Sequence, residues 1–378
     1  MKYKGKRHLS SGKIKKVFNE FEFEHKVTDM FRMFDSCSNI KELDVTHFNT
    51  NEVLDMGSMF RECYSLTSLD IRNFKTHNVK DMYAMLEGCD DLTQLDLSSF
   101  NTSKIRDMSS MFSGCNSLKS LKLKSFDASS VTDFSSMFEN CNSLLSVDLS
   151  SFRPIEGEKL SYMFKYCVRL TSINFSGFNT SNVQDMTEMF GGCNGLGVVD
   201  FKDFDTRNVL SMEGMLSDCH DAPSFDLSSF KTPKLTNLFN LFIGCRSMTS
   251  VDLSNFDTSK VTNMENLFYG CNSLEKLDLR NFNTKECLNM GDMFSECKAL
   301  KTLELSKDFD TSKVTDMGNM FKLCNSLVSL DLSSFNTSNA QIMGNMLNNC
   351  TSLTSLDVSN LIQAKLLLFQ VCFIIVIS

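Results

Sequence analysis

The sequence predicts an α/β repeat solenoid, a coil of about thirteen 26-residue units with a parallel β ladder on one face and short helices on the other. Three observations predict it: a cysteine that returns at a fixed step, an alternating apolar segment after that cysteine, and a column of capping residues before it.

The cysteines stand at Cys37, Cys63, Cys89, Cys115, Cys141, Cys167, Cys193, Cys219, Cys245, Cys271 and Cys297, each 26 after the last, and then at Cys324 and Cys350. One extra residue near Lys307 accounts for the single step of 27. A period held this long marks a repeat protein in which each unit packs only on its neighbours. A solenoid core grows in one dimension, so the 378 residues make one repeat domain rather than two or three globular ones. The expected organisation is a basic leader (1–26), the solenoid (27–361) and an apolar tail (362–378).

The strand follows the cysteine. Apolar residues three, six and eight positions after it, such as Leu118, Leu95 with Leu97, and Leu330 with Leu332, give the period of two of a strand with one buried face. Equivalent strands one unit apart should pair in parallel as a ladder. Next comes a phenylalanine in twelve units, from Phe48 to Phe335, followed by a polar Asn-Thr or Asp-Thr corner such as FNTS at 100–103.

A helix is expected to start eight residues before each cysteine. That column holds Asp29, Asp55, Asp81, Asp107, Asp133, Asp185, Asp316, Asn237, Asn263, Asn289 and Ser211, all residues that cap the free amides of a first helical turn. Apolar residues ten, seven, four and three before the cysteine lie on one helical face, as in Ile105, Met108, Met111 and Phe112. Gly88, Gly114, Gly192, Gly244 and Gly270 stand where such a helix would stop.

The MxxMFxxC pattern also has the soft ligands of a Cu(I) site. Its first methionine column admits Phe134, Leu160 and Leu238, and its second admits Leu241 and Leu267. A thioether ligand cannot be exchanged for leucine, whereas a core side chain can. The columns are core and no metal site is expected. The cysteines, among them Cys63, Cys89, Cys115, Cys141, Cys193 and Cys271, read as a ladder of buried thiols, with neighbour-to-neighbour disulfides as the alternative.

The strand position seven after each cysteine points outward and is acidic: Asp70, Asp96, Asp148, Asp200, Asp226, Asp252, Asp278 and Asp331 form the candidate binding stripe, together with Asp44 and Asp357. Lys122 interrupts it. Stacked like charges repel, so either hydration with neighbouring hydroxyls offsets them, or the stripe attracts divalent cations or a basic partner. Beyond that cation no cofactor is expected. Two stretches depart from the repeat: SFRPIEGEKLSYMF at 151–164, read as drift in a tolerant loop or as a recognition loop, and CHDAPSFDL at 219–227, where Ala222 and Pro223 should loosen a coil.

Several function classes find no support. The net charge of −8 argues against a nucleic-acid partner. The five histidines form no HExxH, and neither GxSxG nor GxxxxGK[ST] occurs. The leader carries Lys2, Lys4, Lys6, Arg7, Lys13, Lys15 and Lys16 before any acid, and reads as a solvated segment or an electrostatic tether. The tail from Leu366 to Ser378 is short of the roughly 20 residues of a membrane-spanning helix. It reads as a cap, a membrane-associated end or a truncated gene end, so membrane contact is expected only through the termini.

The LxxLxLxxF segment and the FNTSxVTDMxxMFxxCxSLxSLDLS unit, over about residues 27–361, resemble the BspA-like leucine-rich-repeat proteins, the bacterial surface protein 26-residue repeat family. The resemblance implies a right-handed solenoid and a non-enzymatic adhesin-type protein, at the cell surface or secreted, that takes a protein or glycan ligand on its strand face. An intracellular, cytoplasmic scaffold and a gene fragment are the alternatives.

Overall fold

The computed structural model describes residues 26–197, 199–307, 309–357 and 361. The basic leader, except Lys26, and the apolar tail lie outside the described residues. The chain divides into two compact units, one of residues 1–157 with 166–178 and one of 158–165 with 179–378. Within each, the chain winds as a β-solenoid in which partners one coil apart are 26 residues apart in sequence.

Twelve short strands are found among the described residues, two to four residues each. In the first unit β1 (Glu42–Leu43) pairs with β2 (Ser68–Leu69), β3 (Gln94–Asp96) with β4 (Ser120–Lys122), and β5 (Ser146–Asp148) with β6 (Ser172–Asn174). In the second, β7 (Ser224–Asp226) pairs with β8 (Ser250–Asp252), β9 (Lys276–Leu279) with β10 (Thr302–Leu305), and β11 (Ser329–Asp331) with β12 (Ser355–Asp357). All pairings are parallel and keep equivalent residues opposite, as Leu95 and Leu121 are. The continuous ladder expected from the sequence is instead a series of two-stranded sheets. The coil of Ala222 and Pro223 is not loosened: its strand β7 pairs in register, and the Pro223 carbonyl accepts the Thr249 amide at 2.9 Å.

The expected helices are absent, and the α/β class is corrected to an all-β solenoid among the described residues. Each coil carries two residues in the left-handed region, five and one before the cysteine, such as Ser58 (φ 52°) with Glu62 (φ 56°) and Ser110 (φ 55°) with Gly114 (φ 72°). A right-handed helix cannot pass through them. The amides alternate between two kinds of partner. Met59 and Cys63 donate to carbonyls three residues back, of Met56 and Phe60, while Met56, Ser58, Phe60 and Glu62 donate to Asp81, Tyr83, Met85 and Glu87 of the next coil at 2.7–3.1 Å. Met59 and Cys63 thus each close a turn on the buried residue three before them. That spacing of three and four mimics helical periodicity.

The capping column does cap, but at turns. Asp107 Oδ1 accepts the amide of Ser109 at 2.8 Å, Asn263 that of Glu265 at 3.0 Å and Asp316 that of Gly318 at 2.8 Å. The same Asx turn recurs at the polar corner, where Asn101 takes the amide of Ser103 at 3.1 Å. The chemistry that ends a helix's free amides ends these turns equally well.

The methionine, phenylalanine and cysteine columns fill the core, with exposure at or near zero across Met108, Met111, Phe112 and Cys115. Burying each of these side chains stabilises the fold by roughly 1.5–3 kcal/mol. Rings of successive coils stack face to face: Phe34 on Phe60 at 5.6 Å and 6°, Phe242 on Phe268 at 5.5 Å and 10°.

Each ladder thiol has a specific partner. Cys89 Sγ donates to the Phe60 carbonyl at 3.3 Å, Cys115 to Leu86 at 3.3 Å, Cys141 to Phe112 at 3.2 Å and Cys271 to Phe242 at 3.3 Å. Cys63 and Cys193 do the same to Phe34 and Phe164. The Phe60 carbonyl also accepts the Cys63 amide, so the thiol of one coil and the amide of the one before it share an acceptor. That requires a small, apolar side chain carrying a donor, which cysteine alone combines. Burial raises the Cys63 and Cys115 thiols to about 12.

A buried threonine makes a second rung. Thr102 Oγ1 donates to the Asp127 carbonyl at 2.9 Å and accepts the Asp127 amide at 2.8 Å; Thr258 does the same with Asn283 at 2.9 and 2.8 Å. One hydroxyl satisfies both backbone groups of a residue in the next coil. Where Ala128 replaces it, the Ala128 amide itself donates to Phe152 at 2.8 Å.

Thr102→Val keeps the shape and strands two buried backbone groups, so it should cost about 1–3 kcal/mol in denaturant titration; an unchanged midpoint would remove the rung's importance. The buried thiols from Cys63 to Cys350 should resist iodoacetamide at mildly alkaline pH, because protonated buried thiols are poor nucleophiles. Denatured without reductant, the protein should take one alkyl group per cysteine, and a deficit in the mass would reveal disulfides.

Candidate functional site

The strand face presents the outward column. Asp70, Asp148, Asp200, Asp226, Asp252, Asp278 and Asp331 are exposed and Asp96 is half-buried. These side chains have a local job as well as a charge. The amide two residues on donates to Oδ1 of each: Arg72 to Asp70 at 3.2 Å, Ser98 to Asp96 at 3.0 Å, Ser150 to Asp148 at 3.0 Å and Lys202 to Asp200 at 3.0 Å. Ser228 to Asp226, Ser254 to Asp252, Arg280 to Asp278 and Ser333 to Asp331 repeat it at 2.8–3.1 Å. Each of these aspartates thus forms an Asx turn, and the column is broken at β4, where Lys122 takes the place.

Charge repulsion along the stripe is relieved locally. Arg72, Lys202 and Arg280 each pair with the aspartate two residues before, at 2.8, 2.8 and 2.6 Å. Lys122, opposite Asp96 in the β3–β4 register, reaches its Oδ2 at 2.8 Å, so the interruption of the stripe is a cross-coil ion pair. Asn174 Nδ2 donates to Asp148 at 3.0 Å. These pairs are exposed and contribute little to stability, but they set a different charge at each rung. The cations at positions 72, 202 and 280 escaped the sequence reading; the signal was the position nine after the cysteine, elsewhere mostly serine. Hydrogen bonds hold the stripe carboxylates down: Asp70 falls to about 2 through its bonds with Arg72, and Asp148, Asp226 and Asp331 are lowered chiefly by the serines two residues on.

Pairing brings Asp226 beside Asp252 and Asp278 beside Glu304. A shallow depression there is lined by Asp252, Ser254, Asp278, Arg280 and Asn281. Among the described residues, no three His, Cys, Asp or Glu side chains converge as metal ligands would. In the departing stretch 151–164, Arg153 takes a left-handed φ of 42°, Pro154 is buried at the threonine position, and Gly157 lies where a Cβ would meet the Phe134 ring at 3.1 Å.

A second acidic column runs along the turns. Asp29, Asp55, Asp81, Asp107 and Asp133 pair in succession through parallel bridges, with Asn237, Asn263 and Asn289 occupying the column in the second unit. Here burial dominates over the turn amide and lifts Asp55 and Asp81 above the ordinary carboxylate range.

A family model described as "Mycoplasma protein of unknown function, DUF285" matches five overlapping segments, residues 10–120, 92–197, 158–276, 194–306 and 236–364. No curated protein sequence matches. Among solved structures, a leucine-rich repeat protein from Bacteroides ovatus is 17% identical, with 88% of this chain and 79% of that one covered at a TM-score of 0.42. A leucine rich cell surface protein from Faecalibacterium prausnitzii is 13% identical, covering 93% and 83% at 0.38. A leucine-rich repeat protein from Eubacterium ventriosum is 14% identical, covering 88% and 82% at 0.40.

The two acidic columns should answer pH in opposite directions. The folded pKa of Asp70 lies below its unfolded value of 3.8, so its stabilisation is present above 3.8 and is lost as pH falls towards about 2. Asp70→Asn should therefore lower the melting temperature at pH 7 and make no difference near pH 2. The folded pKa of Asp81 is raised, so its contribution is full below the unfolded value and lost as pH rises through the folded one. Asp81→Asn, which keeps the turn acceptor as Asn263 does, should raise the melting temperature at pH 7; a fall would refute the burial account.

Proposed function

The chain belongs to the family described as Mycoplasma protein of unknown function, DUF285, and its repeats are of the BspA-like leucine-rich type; from this we propose that it is a non-enzymatic binding solenoid, an adhesin-type protein displayed at the cell surface or secreted. Its ligand is a protein or glycan that lies along the strand face. One observation carries the reading: the strand-face carboxylates are each fixed by a backbone amide, while the cations beside them change from rung to rung at Arg72, Lys122, Lys202 and Arg280. Within each compact unit, a rigid frame with a non-repeating charge pattern is what a specific partner needs, because little conformational freedom is lost on binding. The adhesin reading follows from the family resemblance, and the strand face from the charge pattern.

Protease treatment of intact cells tests display. The protein should disappear from treated cells while a cytoplasmic marker persists; survival of both would replace the surface reading with the intracellular scaffold.

A further inference from the structure

Repetition makes departures readable, and the strongest one lies on the turn side of the first three coils rather than on the strand face. The turn segments 29–37, 55–64 and 81–91 hold eight carboxylates (Asp29, Asp35, Asp55, Glu62, Asp81, Glu87, Asp90 and Asp91) against two guanidinium groups, Arg32 and Arg61. They also carry exposed rings: Phe31 at 48%, Tyr64 at 44% and Tyr83 at 43% exposure. The next two coils keep the same backbone with Ser109, Ser113, Asn116, Ser135 and Asn142 at equivalent places. The fold therefore does not require the rings or the extra acids.

The group is contiguous. Phe31 lies against Gly57, whose Cβ would meet its ring at 3.2 Å, and Tyr64 lies against Gly88 at 3.3 Å, so each ring spreads over a glycine of the following coil. Phe31 and Tyr83 occupy the same column two coils apart, about 10 Å at the spacing of strands. Arg61 ties the acids of three coils together, pairing with Asp35 and Glu87 at 3.2 Å and with Glu62. The phenol of Tyr64 is raised by partial desolvation and then by the charges of Glu62 and Asp90. The Arg32 guanidinium already sits 5.4 Å over the Phe31 ring, the contact that a further cation would make with the other rings.

We propose that this acidic, aromatic face of the first three coils is a second interaction surface, which takes a lysine- and arginine-rich segment of a partner protein. The carboxylates supply long-range attraction and register, and the rings of Phe31, Tyr64 and Tyr83 supply stacking area for guanidinium and ammonium groups. Tyrosine and phenylalanine are poor solvating residues for a bare solenoid wall but common anchors at interfaces. This surface is independent of the strand-face reading and stands if that reading fails.

The probe is a short fluorescent peptide of repeated Lys-Arg-Gly-Ser, titrated with the full chain and read by anisotropy at low and moderate salt. Saturable binding that weakens with salt is expected. Tyr64→Asn with Tyr83→Ser, which copies the residues of the fourth coil, should weaken it about tenfold; Glu62→Asn with Glu87→Ser, which copies Asn140 and Ser113 of later coils, should do the same. Asp226→Asn with Asp252→Asn on the strand face should change it less than twofold, and all variants should keep the parent circular dichroism. No binding by the parent chain, or equal loss in the strand-face control, would overturn the proposal, and loss only with the glutamate variants would remove the rings from it.

Discussion

The constraint on which everything else rests is registration: the chain must return after 26 residues with its backbone groups opposite those of the coil before. Among the described residues no long strand or helix absorbs the polar groups, so alternate amides must be handed to the neighbouring coil, as Met56, Ser58, Phe60 and Glu62 do. A buried amide without a partner costs about 1–3 kcal/mol, so a slip anywhere would be paid for along the whole coil. The left-handed residues turn the chain quickly enough to make the handover. The Asx caps at Asp96, Asn101 and Asp107 fix where each turn begins, and the Thr102 hydroxyl and the Cys115 thiol complete the rungs where backbone alone does not reach. Specificity here comes from short polar contacts, and the buried phenylalanine, methionine, leucine and cysteine columns supply the burial.

Much of this was legible in the sequence. The cysteine step gave the period, the Leu95–Leu97 alternation gave the strand, and the phenylalanine columns gave the core. The helix was misread for a definite reason: buried residues that close turns on one another every three residues, as Met56 with Met59 and Phe60 with Cys63, repeat at nearly the helical spacing. The left-handed positions would have excluded it, but they are held by serine, glutamate, asparagine and tyrosine more often than by glycine, and of these only asparagine favours the conformation. The corner threonines, such as Thr102 and Thr258, look like turn decoration because their neighbours are polar; only the fold shows that they are fully buried.

The outward aspartates illustrate a related ambiguity. Asp96 and Asp148 stand out along their unit because each caps its own strand, so a conspicuous stripe of charge arises from local geometry. What distinguishes one rung from another is the variable neighbour, Arg72 or Lys202 where other coils have serine. In a repeat protein the regular columns are occupied by the demands of folding. The irregular ones are free of those demands, on the strand face and on the turn face alike.

The extra residue near Lys307 shows how local the registration is. In that coil the turn into Phe309 starts from Ser306 where other coils use the strand leucine, and the thiol and threonine rungs on either side span 30 and 26 residues instead of 29 and 25 with unchanged lengths of 3.1 and 2.8 Å. Strands β9 and β10 run to four residues beside it. A frame that absorbs an insertion within one coil does not count residues globally. Unequal crossing-over between repeats would therefore add or delete whole coils and leave a folded chain each time, so that the length of the solenoid is a quantity recombination can adjust without redesigning the protein.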